Sequence, residues 1–222
     1  MPELALKCIG SWQKYMPDYE YKLWNEDNFD INCNQYVKEA YEAKKYAFVS
    51  DYVRLYALLM EGGIYLDTDV EVLKPFDPLL DLNGFIGFEG TKSILIGTGT
   101  FACLPNGGWL MEQIQAYDNA RFVLPDGSYD LTANPVRITK IMAQNGLVQN
   151  GFEQDYKDMR IFPTDYFCPR QTTGEYLLTV NTYCDHHFMG SWNEQKKSSV
   201  ILHILGQKFF TRLIKIKRKL FG

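Results

Sequence analysis

FVSDYVRLYALLMEGGIYLDTDVEVLKPFDPLL, residues 48–80, changes its hydrophobic period halfway along, and that change decides the fold. From Phe48 to Glu61 the apolar residues Phe48, Tyr52, Leu55 and Leu59 recur at steps of three and four, the spacing of one buried helix face. Gly62-Gly63 ends this helix, because glycine takes the left-handed backbone that a helix C-terminus often needs. From Ile64 to Val72 the period becomes two. Ile64, Leu66, Val70 and Val72 point one way, while Tyr65, Asp67, Asp69 and Glu71 point the other.

Outward from this stretch the chain keeps alternating helices with short strands. A helix opens it, with Pro2 near the first turn, Leu4, Cys8, Trp12 and Tyr15 along one face, and Pro17 as a stop. YEYKLW, residues 19–24, reads as a strand, and Gln35 to about Tyr46 as a helix. FIGF (85–88) and SILIG (93–97) read as short buried strands, and residues 108–117 and 135–145 as helices. The last of these is expected to have Asn134 as N-cap and Pro135 at its first position. Residues 160–187 read as mixed short strands and loops, and SVILHIL (199–205) as an apolar run with His203 in the core. The pattern predicts a single α/β domain with a mainly parallel sheet, over residues 1–205.

Asp67 and Asp69 fall at the C-terminal end of the expected strand, where open α/β sheets place their ligands. On one strand face their carboxylates would stand about 7 Å apart. Hard divalent cations take oxygen ligands, and Mg²⁺ or Mn²⁺ commonly combines one or two carboxylates with substrate phosphates. The triplet alone carries little, since a chain with this much aspartate contains one by chance, and a solvated polar strand face is the plainer reading. Asp51 and Arg54, at i and i+3 on the preceding helix, project to one side. They make either an ordinary surface ion pair or a pair at the mouth of the same site.

The ordered pattern S-D-x-x-R (Ser50, Asp51, Arg54) followed by G-G-x-Y-L-D-x-D (Gly62 to Asp69) closely resembles the core signature of glycosyltransferase family thirty-two. That family includes bacterial capsular polysaccharide transferases and yeast initiating mannosyltransferases, with the glucosylating domains of large clostridial toxins as distant relatives. The resemblance implies a GT-A type, Rossmann-like fold. It also implies a metal-dependent, retaining hexosyltransferase that moves a sugar from a UDP- or GDP-sugar to a cell-surface glycan or lipid-linked acceptor of capsule or lipopolysaccharide type. Carried over by position, Asp51 and Arg54 hold donor sugar hydroxyls, with Arg54 also near phosphate, and Tyr65 lies by the nucleotide. Asp67 bonds ribose and sugar hydroxyls and reaches the ion through water, and Asp69 ligates Mn²⁺ or Mg²⁺. HHFMGSW (186–192) looks like the closing loop of related transferases. There His187, in preference to His186, completes the metal shell, while Trp192 covers the diphosphate and Ser191 binds the donor. Relatives begin with a strand in the centre of the sheet, ahead of the first helix. The expected sheet lacks that strand, or another segment takes its place.

Composition bounds the rest. Of 222 residues, 46% are apolar and 23% charged, within the range of a globular protein. Five scattered cysteines without a C-x-x-C pair argue against a disulfide framework or zinc site and predict a reducing cytosol. No apolar run is long enough to span a bilayer. The formal net charge is −4, yet residues 206–222 hold Lys208, Arg212, Lys215, Lys217, Arg218 and Lys219 with no acid. An acidic body does not suit nucleic acid. A basic amphipathic helix here, with Leu205, Phe209, Leu213, Ile216 and Leu220 on one face, would suit an anionic membrane surface. Two other functions compete. A haloacid dehalogenase-type phosphatase also ends its first strand in D-x-D, but Glu71 stands where it needs Thr or Val, and no Gly-Asp-x-x-x-Asp follows near the C-terminus. An inactive glycan- or sugar-nucleotide-binding domain would keep the D-x-D without turnover.

Overall fold

The structure, a computed structural model, describes residues 2–91, 94–171 and 173–189, and the backbone of 211–216. Helix α1 (Glu3–Tyr15) buries Ala5, Cys8 and Trp12 and stops ahead of Pro17. Strand β1 (Tyr19–Trp24) follows. Helix α2 (Gln35–Glu42) starts where the Asn34 side chain accepts from the amides of Tyr36 and Val37. It is shorter than the sequence predicts, because Lys44 takes φ 58° and breaks the run before α3 (Tyr46–Glu61). Gly62 ends α3 at φ 64°, and a Cβ there would lie 2.7 Å from Cδ of Pro105. Both the backbone angle and the lack of space demand glycine at this position.

Strand β2 (Gly63–Leu66) leads to the aspartates. The single alternating strand expected over 64–72 is in fact two. Val70 N donates to Asp67 O at 3.0 Å, closing a turn through Asp67–Asp69, and β3 (Val70–Val72) leaves the main sheet. Further along lie β4 (Gly84–Glu89), β5 (Leu95–Cys103), α4 (Gly108–Asp118) and α5 (Asn134–Gln144). Then come β6 (Gln154–Tyr156), β7 (Met159–Phe162), α6 (Thr164–Phe167), β8 (Cys184–His186) and β9 (Thr211–Ile216). Asn134 is the first residue of α5 rather than its cap: Ala133 holds the cap position and no side chain caps the helix.

The seven-stranded sheet has the order β1-β9-β2-β5-β4-β7-β6, and β3 and β8 form a separate two-stranded sheet. The α/β class is as expected, but the pairing is mixed and mostly antiparallel: among the described residues only β4 and β7 run parallel. Short connections between β4 and β5 and between β6 and β7 permit hairpins alone, whereas a parallel pair needs a long crossover. The basic tail brings a second correction. Residues 211–216, expected in an amphipathic helix outside the domain, form β9 inside the sheet, antiparallel to both β1 and β2. β1 and β2 would otherwise each leave a row of backbone donors and acceptors unpaired, and one extended segment satisfies both. The boundary expected at residue 205 therefore does not separate 211–216 from the sheet. His203 and SVILHIL lie outside the described residues.

Side chains alternate across the sheet and build a core on each face. Tyr65, Ile86, Phe88, Ile96 and Phe101 pack with residues of α2, α3, α4 and α5. Ile64, Leu66, Phe85 and Ala102 pack with Trp12 of α1, Met16, Phe76, Phe167 and Tyr183. The Trp12 indole N–H donates to Val70 O at 2.7 Å, tying α1 to the strand after the aspartates. The D-x-D turn is thus held between two well-packed layers.

Candidate active site

The first element of the site is the turn itself. Asp67 N donates to Gly99 O of β5 at 2.8 Å, which fixes the start of the turn. Its end is fixed by β8 and the residues after it: His187 N donates to Asp69 O at 3.0 Å, and Met189 N to Asp69 Oδ2 at 2.8 Å. The two carboxylates are therefore placed by a turn, not by the pleat of one strand.

Arg54 is the second element. Its side chain is 7% exposed, so the surface ion pair is not what forms. Nη2 lies 2.9 Å from Asp51 Oδ1, Nη1 lies 3.3 Å from Asp67 Oδ1, and Nη1 also donates to Thr98 O at 2.8 Å. The guanidinium sits 4.6 Å from the centre of the Tyr65 ring, and the Tyr65 hydroxyl donates to Asp67 Oδ1. Asp51, Arg54, Tyr65 and Asp67 are one network, in which a fixed fork of donors holds two carboxylates. Burial pushes the Asp51 carboxyl up to about 6, against the pull of Arg54. Tyr65 is itself buried, at 3% exposure, so its nearest role is to hold Asp67.

Of the two histidines, His186 is the one that faces the aspartates. His187 was expected at the ion, but its Nε2 lies 2.9 Å from Glu71 Oε2, which Lys7 also meets at 2.8 Å. His186 turns toward the aspartates: its Nε2 lies 3.4 Å from Asp69 Oδ1 and 3.9 Å from Asp67 Oδ2. The cause is the register of the small sheet, in which Val70 faces His186 and Glu71 faces Asp185, so neighbouring histidines leave by opposite faces. Burial disfavours a charged His186 ring, yet Asp69, then Asp67 and Glu89, outweigh it and raise its pKa above the ordinary value. Asp69 moves the other way: burial opposes its charge, but His186 and the Met189 amide hold its carboxyl below the usual range.

One ligand atom from each of Asp67, Asp69 and His186 lies within 4.8 Å of the others. Two carboxylates and an imidazole suit a small divalent cation, and the imidazole favours Mn²⁺ over Mg²⁺. The donor set present therefore fits the ion that the family resemblance implies. Ser191 and Trp192 lie outside the described residues. Glu89, at the end of β4, also borders this site, outside the signature that carries the other site residues; burial pushes its carboxyl up to about 7. A lone acid ending an otherwise apolar strand was the available signal.

Comparison with known proteins bears on this geometry. Residues 2–86 match the family described as the glycosyltransferase sugar-binding region containing DXD motif, a span that holds Asp51, Arg54, Tyr65, Asp67 and Asp69. The chain is similar to inositol phosphoceramide mannosyltransferase 3 of Schizosaccharomyces pombe, 38% identical over 89 residues, covering 35% of this chain and 24% of that protein. It is similar to inositol phosphoceramide mannosyltransferase 1 of the same yeast, 26% identical over 149 residues, covering 61% of this chain and 45% of the other. Glucan organizing enzyme 1 of Cryptococcus neoformans is 46% identical over 48 residues, covering 22% of this chain and 13% of its own. The chain thus spans less than half the length of each of these relatives. No solved structure matches it. The D-x-D turn and its Asp51–Arg54 support thus lie inside the span, residues 2–86, over which the chain is similar to the DXD-containing glycosyltransferases.

Proposed function

We propose that this chain transfers a hexosyl group from a UDP- or GDP-sugar to a glycan or lipid-linked acceptor, with retention at the anomeric carbon and with Mn²⁺ or Mg²⁺ as cofactor. The observation that carries the reading is the convergence of Asp67, Asp69 and His186 within 4.8 Å, beside the buried Arg54. A divalent ion bound there would neutralise the diphosphate as the bond to the sugar breaks. In this reading Asp69 and His186 would hold the ion, and Asp67 would share in holding it while positioning the donor. Asp51 is engaged by Arg54 through Oδ1, which leaves Oδ2 to accept a sugar hydroxyl. Arg54 stays fixed by the Thr98 carbonyl and by the ring of Tyr65, so its charge is in place before the donor arrives.

The curated relatives named as mannosyltransferases make mannose a first sugar to try. Trp192 is assigned to the diphosphate, and Ser191 to the donor, on the resemblance alone. A capsule or lipopolysaccharide acceptor at the inner face of the membrane rests on the same resemblance. The five free cysteines support a reducing cytoplasm, and contact with anionic lipid rests on the basic composition of residues 206–222.

The test is hydrolysis and binding of a panel of UDP- and GDP-sugars by the full chain, with Mn²⁺, with Mg²⁺ and with excess EDTA. Metal-dependent release of nucleoside diphosphate from one donor class is expected. Equal turnover in EDTA would refute the metal reading, and a chain that binds donors without turning them over would be a binding domain.

A further inference from the structure

Behind His186 lies a second group of ligand atoms, two of which the proposed reaction does not use. Glu89, Cys168 and His186 each bring one such atom within 4.8 Å of the others. They line a small cavity, about 10 Å³, together with Gly97, Gly99 and Thr100, and that volume is close to a single water site. Among the described residues no hydrogen bond or ion pair engages the Glu89 carboxylate, and the charges that act on it are those of His186 and Asp67.

Two bare glycines on one face of β5 make room for this pair. A Cβ on Gly99 would lie 2.9 Å from His186 Nδ1, and a Cβ on Gly97 would lie 3.3 Å from Glu89 Oε2. The imidazole therefore presents Nε2 to the aspartates and backs Nδ1 onto the strand against which Glu89 rests. A second metal site is the weaker explanation. Cys168 is 4% exposed and burial holds its thiol well above the usual range, which opposes the thiolate that a metal needs. A histidine that binds a metal through one nitrogen nearly always donates its other N–H to a carboxylate, a carbonyl or a water, and this fixes the tautomer.

We propose that Glu89 is a positioning residue for the ion site: its carboxylate accepts the His186 Nδ1–H through one water in the cavity, and so directs the Nε2 lone pair between Asp67 and Asp69. This assignment rests on the metal-dependent reading above. Glu89 touches neither donor nor acceptor. It acts only through the ring.

The experiment is Mn²⁺ binding by the full chain, followed by electron paramagnetic resonance of the free ion, for wild type, Glu89→Gln, Glu89→Ala, His186→Ala and the double variant Glu89→Ala/His186→Ala. Loss of an outer partner of a metal-binding histidine typically weakens affinity about 10- to 100-fold. Glu89→Ala should fall in that range. Glu89→Gln, which keeps the shape and one acceptor oxygen, should fall less. Donor KM at saturating Mn²⁺ should not change in Glu89→Gln. In the His186→Ala background the Glu89 substitution should have no further effect, because its only path to the ion is gone. Wild-type Mn²⁺ affinity in both Glu89 variants would overturn the proposal, as would an undiminished effect in the His186→Ala background. A wild-type chain that binds no Mn²⁺ would instead overturn the metal reading, and this proposal with it.

Discussion

Gly99→Ala probes the site with a single methyl group. The added Cβ would lie 2.9 Å from His186 Nδ1, 3.0 Å from Cε1 and 3.4 Å from Asp67 Oδ2, where ordinary contacts begin at 3.4 Å. The ring must therefore retreat by roughly half an ångström or more, as carbon and nitrogen cannot be compressed that far. Phe188 already packs on the ring, with centroids 4.3 Å apart, so the retreat is confined. His186 Nε2, now 3.4 Å from Asp69 Oδ1, would be drawn out of line with the D-x-D. Overpacking of this kind costs about 1–3 kcal/mol of stability, and a misplacement near 1 Å in a catalytic group costs about 10²-fold in rate. Gly97→Ala is the control. Its Cβ meets Glu89 Oε2 at 3.3 Å, the end of a flexible side chain that gives way by a few tenths of an ångström. The assay is donor hydrolysis against a Mn²⁺ titration, with thermal melting of each variant. Gly99→Ala should need at least about tenfold more Mn²⁺ and turn over about 10²-fold more slowly, while Gly97→Ala stays within a few-fold of wild type. Normal metal dependence in Gly99→Ala would refute the placement of His186 at the ion.

Other outcomes follow from the same geometry. Asp69→Asn should lower turnover by about two to three orders of magnitude with partial rescue by excess Mn²⁺. Asp67→Asn, which also loosens Arg54 and Tyr65, should mainly raise donor KM and respond little to metal; equal behaviour of the two variants in a Mn²⁺ titration would contradict the division of roles. His186→Ala should weaken Mn²⁺ binding, whereas His187→Ala should leave it near wild type, because His187 is spent on Glu71; a reversed order would restore the assignment to His187. Away from the site, burial opposes the charge of Glu39, but Arg121, Gln35 and the amides of Val123 and Phe122 hold its carboxyl at about 2. With the folded value depressed, its contribution to stability is present above about 4.5 and is lost as pH falls toward 2. Melting temperature should thus drop over that window less steeply in Glu39→Gln than in wild type, and parallel curves would show that Glu39 does not anchor the 121–123 turn.

The helix of residues 46–61, its glycine stop and the start of the strand that follows were legible because each depends on neighbours only a few positions away, whereas the turn that ends this strand at Asp67 was not. Local steric rules and the hydrophobic period are written into any short window, so Gly62, Tyr65 and the two aspartates could be placed in order along the chain. The Asp51–Arg54 pair was legible for the same reason, as a three-residue spacing on one helix. Its burial was not, since that depends on β5 crossing behind it and on the Thr98 carbonyl meeting Nη1. Choosing between His186 and His187 required the register of β3 against β8, a pairing of residues more than a hundred positions apart. A shift of one residue would exchange their faces. The strand at 211–216 was illegible for a related reason. Its mixture of apolar and basic residues suits a helix flank or a strand equally, and two open edges, β1 and β2, decide between them. Glu89 completes the contrast: the sequence shows only an acid closing an apolar strand, whereas its partner, a histidine nearly a hundred residues later, is supplied by the fold.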